Sequence, residues 1–300
     1  MRVIEPMEIT DAVLTASNVV ENDHAVWSAV TTYSAGNRVI STATHKVYES
    51  IAGGNLNRNP VTDLVAAFWI TIGATNRWKA FDGIINDPVT RATSITYTMA
   101  PVNISDGMAL FGLLASSVQL VVKSAAAATL FDQTIVLIDR TEQVTWFSWF
   151  YDPIDNFETE AIFTGFPGFP GNTIEITILG GASTQVGEIV TGRNQLLGLS
   201  LSGAAIGIED FSRKERDDFG RATIVPRAFA DTATFQFSFP PEDARRVKRV
   251  LTRLRASPAV WFAGVEFRSH GTTVFGFYNS FDIPITVGVC FATLEIEGLI

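Results

Sequence analysis

The chain is short of the residues that cross-link a protein or bind metal. It has one cysteine, Cys290, so no disulfide framework can form within it. Its three histidines, His24, His45 and His270, are too scattered to suggest a zinc site, and no metal is expected. The longest apolar stretch, Ala109 to Val122, is too short to cross a bilayer and is interrupted by Gln119, so no membrane insertion is expected. Met1 to Glu8 carries acids and a proline and lacks the apolar core of a signal peptide. The expected product is cytosolic when made, or exported without a cleaved signal. No P-loop, dinucleotide fingerprint, nucleophile elbow, HExxH or CxxC pair is present. Asp218-Phe219-Gly220 has the letters of a kinase triplet but none of its companion motifs. These absences argue against an enzyme, and no catalytic residue or cofactor is expected.

What is present is apolar and β-prone. The 300 residues are 47% hydrophobic and 18% charged, so the chain has ample surface to bury and disorder is excluded. Length suggests two domains, with three small ones also compatible. The net charge of −9 argues against nucleic acid as a partner. That charge is unevenly placed. Phe211 to Ser257 holds half of the basic residues and nets +5, leaving −14 for the remainder. An acidic body with a basic stretch suits joining to copies of itself or to acidic neighbours, although a solvated helix face gives the same pattern.

Three segments follow from the punctuation: 1–76, 77–202 and 203–300. The first is an N-terminal arm and a small β module, with short runs at Arg38 to Ile40, His45 to Glu49 and Phe68 to Ile70. The second alternates polar and apolar residues at Ser94 to Met99, Ser117 to Val122, Thr134 to Ile138 and Thr173 to Ile178. Period-2 strands without intervening helices predict a β-sandwich or jelly roll. In the third, Phe235, Phe237 and Phe239 share one strand face. Pro240 to Asp243 then opens a helix whose stripe is Val247, Val250, Leu251 and Leu254. Strands at Ala259 to Ala263, Thr273 to Tyr278 and Phe291 to Ile296 complete an antiparallel sheet with one packed amphipathic helix. The fold class expected is mainly β.

Two clusters invite a chemical reading. Asp152, Asp155, Glu158 and Glu160 follow the aromatic run Trp146 to Tyr151. They read as a sugar-cleaving cleft or, more plainly, as an exposed loop beside a buried strand. Gly165-Phe166-Pro167-Gly168-Phe169-Pro170-Gly171 reads as a tight apolar loop that either meets a protein or caps the sandwich.

The order Trp27, Tyr33, Gly36, Asn37, Val39, Tyr48, Pro60, Trp69 resembles the small carbohydrate-binding modules of chitinases and cellulases. That resemblance implies glycan stacking on Trp27, Tyr33, Tyr48 and Trp69. The alternative is that these rings form the module's core. Trp78 to Gly83 is similar to the start of galactose-binding-like jelly rolls. In it, Asp82 and Asp87 either contribute to a cation site or serve as turn residues.

Over the whole chain, a further series resembles structural proteins of tailed bacteriophages. It comprises Thr75 to Trp78 with Phe81-Asp82, Asp210 to Glu215, Asp217 to Gly220, Leu254 to Trp261, Phe275 to Tyr278 and Leu294 to Leu299. The C-terminal segment is similar to the tail-tube and distal-tail fold. The resemblance implies a tail-tip or baseplate component of the virion, assembled in the host cytoplasm as a homo-oligomeric ring with other tail proteins. Arg245, Arg246, Arg249 and Arg253 are the expected assembly face. The alternative is a receptor-binding protein that adheres to host surface polysaccharide, and less favoured is a polysaccharide hydrolase.

Overall fold

The computed structural model describes residues 1–138, 145–151, 157–216, 219–264, 271–284, 286 and 288–299. Its organising element is the strand Arg2–Pro6, which pairs antiparallel with Glu188–Leu196 on one side and Ala259–Phe262 on the other. Val3 and Ile4 are both fully buried because a central strand is covered on both faces. Val3 enters the core beneath the C-terminal helix, and Ile4 enters a cluster with Phe111, Val190, Phe262 and Phe275.

This strand joins two halves of one ten-stranded antiparallel sheet. On one side lie Glu188–Leu196, Ser105–Phe111 and Ala161–Gly168. On the other lie Ala259–Phe262, Val274–Asp282, Cys290–Gly298 and Phe229–Phe239. Phe229–Phe239 is long enough to take two further partners, Leu199–Ser200 and Ala205–Asp210. The second and third segments therefore share a sheet, closed by residues from the start of the first.

The first half of the sheet is faced by a five-stranded sheet in the order Thr129–Val136, Ser117–Lys123, Thr173–Leu179, Ser94–Met99, Leu14–Ser17. Alternation decides which residues meet. Ile95, Tyr97 and Met99 point inward with Val118, Leu120, Val122, Ile174, Ile176 and Ile178, against Met108, Leu110, Phe163, Phe166 and Ile189. The product is a sandwich of jelly-roll-like sheets, and the fold is mainly β.

In the second half, a 3₁₀ turn at Pro241–Asp243 leads into the α-helix Ala244–Arg253. Val247, Val250, Leu251 and Leu254 are buried against Phe235, Phe237, Phe239 and Trp261. The Tyr278 hydroxyl donates to the Leu251 carbonyl (2.8 Å), tying the helix end to the sheet.

Two local expectations are corrected. Gly165 to Gly171 is not wholly a loop, since the strand Ala161–Gly168 runs through its first half and buries Phe166 while Phe169 stays exposed. The run Trp146 to Tyr151 is a short α-helix with exposed rings, not a buried strand.

Candidate functional site

The N-terminal module is built around four side chains: Tyr33, Val39, Tyr48 and Trp69. Strands Arg38–Ser41, Lys46–Ser50 and Trp69–Ala74 form its three-stranded sheet, and Thr32–Tyr33 pairs with Asn55–Leu56. The Asp63 carboxylate accepts from the backbone N–H groups of Ala67, Phe68 and Trp69 at 3.0, 2.7 and 2.9 Å, closing the loop before the last strand. The Trp69 indole N–H donates to the Arg58 carbonyl (2.9 Å), and the Tyr33 ring meets Trp69 edge-on at 5.2 Å.

This packing corrects the reading of the aromatics as a stacking platform. Tyr33, Tyr48 and Trp69 are buried, with Trp69 only 2% exposed, so their faces are covered by protein. Trp27 is half-buried and packs at the edge of the cluster. Its indole N–H is buried without a hydrogen-bond partner. Of the four, Trp27 alone is not buried.

Where the module meets the sandwich, His45 sits between two carboxylates. Its Nδ1 is 3.0 Å from Glu21 Oε1, and its Nε2 is 3.1 Å from Asp11 Oδ2. Glu21 Oε1 also accepts from the Trp78 indole N–H (2.6 Å), while Glu21 Oε2 is buried with no partner. A neutral imidazole has one N–H and satisfies one of these acids, whereas an imidazolium donates to both. The backbone seals the same seam: Thr75 N–H donates to the His45 carbonyl (2.9 Å) and Asn76 N–H to Asp23 (2.9 Å). Sequence reading had set His45 aside as a scattered histidine.

Asp82 and Asp87 behave as turn and ion-pair residues. Asp82 Oδ1 accepts from Ile84 N–H (2.9 Å), and Asp87 pairs with Lys79 at 2.6 Å. Burial pushes the Asp82 carboxyl up to about 6. Nearby, Glu188 accepts from Gly83 N–H (2.9 Å), and burial pushes its carboxyl up to about 9. No group of three or more potential metal ligands occurs among the described residues.

A groove of about 700 Å³ lies where the sandwich meets the C-terminal half, lined in part by Glu158, Glu160, Asp231, Ile206 and Ile208. Burial first, then the charges of Asp231 and Glu158, push Glu160 up to about 7. Asp152 and Asp155, from the same sequence cluster, lie outside the described residues, as do His270, Asp217 and Asp218.

The four expected assembly arginines divide into two pairs. Arg246 bonds Asp243 (3.1 Å) and the Leu196 carbonyl, and Arg253 bonds Glu5 (2.7 Å). Both tie the helix to its own sheet while their side chains stay 42% and 50% exposed. Arg245 and Arg249 are exposed and, among the described residues, have no ion pair.

The structure adds a feature that sequence reading missed. Strands Ala205–Asp210 and Phe229–Phe239 continue outward into a hairpin of Arg213–Arg216 and Ala222–Val225. Every described residue from Ser202 to Arg227 is exposed except the half-buried Ser212. The ribbon shows Ile206, Ile208, Phe211, Ile224 and Val225 to solvent. The only trace in the sequence is two short β-branched runs separated by charges.

No protein-family model matches the chain, and no curated protein matches it.

Proposed function

We propose that this chain is a structural component of a bacteriophage tail tip or baseplate that assembles with copies of itself through its C-terminal part. The observation that carries the assembly reading is the ribbon from Ala205 to Val225. Its outer part, Arg213–Arg216 paired with Ala222–Val225, is a two-stranded ribbon open to water and marginal alone, and Ala205–Asp210 leads into it from the edge of the large sheet. The ribbon also exposes Ile208 and Ile224, at 67% and 60%. Covering both faces by neighbours supplies the missing burial. The ribbon's Arg213 and Lys214 are paired with its own Glu215 and Asp210, so the exposed bases that oppose the acidic remainder are Arg245 and Arg249 on the helix. Charge of opposite sign on different faces of one chain favours head-to-tail contact between copies. The virion assignment rests on the resemblance of Leu254 to Trp261, Phe275 to Tyr278 and Leu294 to Leu299 to phage structural proteins. The adhesion reading rests on Trp27 at the module's edge.

The test is sedimentation of the wild-type chain and of Ile208→Asp/Ile224→Asp. Both positions are exposed, so the monomer fold is expected to persist by circular dichroism. Wild-type oligomers at micromolar concentration and a monomeric variant support the reading. A monomeric wild type, or a variant that assembles equally, overturns it. Absence of the chain from purified virions by mass spectrometry overturns the virion assignment.

A further inference from the structure

The six-residue helix Trp146–Tyr151 has no charged residue and five aromatic ones. All five are well exposed: Trp146 80%, Phe147 69%, Trp149 48%, Phe150 68% and Tyr151 74%. The rings pair along the helix. Trp146 stacks on Phe150 at 6.1 Å between ring centres, and Phe147 lies 4.9 Å from Tyr151. At 3.6 residues per turn, the five rings span an arc of about 200°. An apolar stripe that fits one groove is narrower, on the order of 100°.

Area separates the candidate occupants. Taking about 200 Å² per aromatic side chain, the knob shows roughly 700 Å² of aromatic surface. A flat contact with a second copy covers about half of that arc, well below the ~800 Å² per partner of a stable interface. A bilayer interface surrounds the whole arc at once, and Trp and Tyr favour that depth because each joins an apolar body to a polar tip. Charge chooses the lipid. The flanking stretches 139–145 and 152–156 carry four acids and one base, which disfavours an anionic surface.

We propose that the helix Trp146–Tyr151 is an interfacial anchor that seats this chain on a neutral, zwitterionic phospholipid surface. It lies in the headgroup region and does not span, in keeping with the absence, among the described residues, of any helix long and apolar enough to cross a membrane. This inference is independent of the assembly reading, because no ribbon residue takes part.

The experiment is co-flotation with phosphatidylcholine vesicles, repeated with vesicles containing phosphatidylglycerol. Wild type is compared with Trp146→Ser/Phe147→Ser/Phe150→Ser and with Ile208→Asp/Ile224→Asp. The expected result is flotation of wild type and of the ribbon variant on phosphatidylcholine, with a loss of about tenfold or more in the serine variant. Phosphatidylglycerol should weaken binding. Quenching of tryptophan emission by brominated phosphatidylcholine gives a second readout, because Trp146 and Trp149 are the tryptophans most open to lipid. No flotation of wild type, equal flotation of the serine variant, or binding that requires phosphatidylglycerol overturns the proposal. So does a result in which the serine substitutions abolish self-association and vesicles bind nothing, since the knob is then a protein contact. Loss of assembly in the ribbon variant with flotation retained separates the two readings.

Discussion

The imidazole of His45 lies face to face on the indole of Trp78, with 4.0 Å between ring centres and 22° between planes. His45 belongs to the N-terminal module, and Trp78 packs into the core of the sandwich. The stack, with the Glu21 carboxylate bonded to both rings, fixes one body on the other. Replacing His45→Phe keeps a flat ring on Trp78 but leaves Glu21 and Asp11 facing carbon. The expected cost is about 1–3 kcal/mol in urea unfolding, the range for stranding a buried polar partner. Adding Glu21→Gln to that variant should recover part of it, because a neutral amide still accepts from Trp78. An unchanged midpoint in His45→Phe means the stack alone holds the seam.

Stability should fall as pH rises from about 5 to about 9. Burial raises the folded-state carboxyl of Glu188 to about 9, well above its ordinary value of 4.5. The folded chain therefore keeps a proton that the unfolded chain releases. The contribution is complete below the unfolded value and is lost as pH climbs toward the folded one, with a limiting slope of about 1.4 kcal/mol per pH unit. Glu188→Gln, which cannot ionise, should flatten that slope. Equal slopes in both proteins, measured by urea midpoints at pH 5, 7 and 8.5, remove Glu188 from the account.

Trp69 and Trp27 should respond differently to alanine. Trp69 is in the module's core, so Trp69→Ala is expected to cost about 3–5 kcal/mol and to unfold the module. Trp27→Ala, at a half-buried edge, should leave the module folded and is the clean test of glycan stacking. Glycan-array binding that is lost in Trp69→Ala but unchanged in Trp27→Ala reports folding, and it sinks the stacking role.

The contrast between those two tryptophans shows where sequence reading stops. A ring in a small core and a ring on a sugar platform are the same residue type at the same spacing, and only burial separates them. Where a face is buried, the pattern is legible. Ser94–Met99 and Thr173–Leu179 alternate in sequence and in burial, and Val247, Val250, Leu251 and Leu254 share one buried stripe. Where neither face is buried, nothing enforces a polar–apolar alternation, so the ribbon left only short β-branched runs at Ala205–Asp210 and Ala222–Val225. Aromatic β-propensity misled at Trp146 to Tyr151, where a helix presents rings outward. The role of Arg2–Pro6 was hidden for another reason: its partners are remote in sequence and carry no local signal.

That remoteness governs the order in which the molecule can form. Ile4 pairs with Asn194 and Val260, so neither partner is available while only the early part of the chain has been made. The five-stranded sheet can collapse sooner, because most of its strands lie within one contiguous stretch. The central strand must wait, apolar on both faces, for the chain to return to it twice. Such long loop closures slow folding and prolong exposure of an unpaired edge. The two halves of the great sheet are thus joined last, and a chain stalled before Ala259–Phe262 is made holds Val3 and Ile4 half-covered at best, open to pairing with a neighbour that has stalled in the same way.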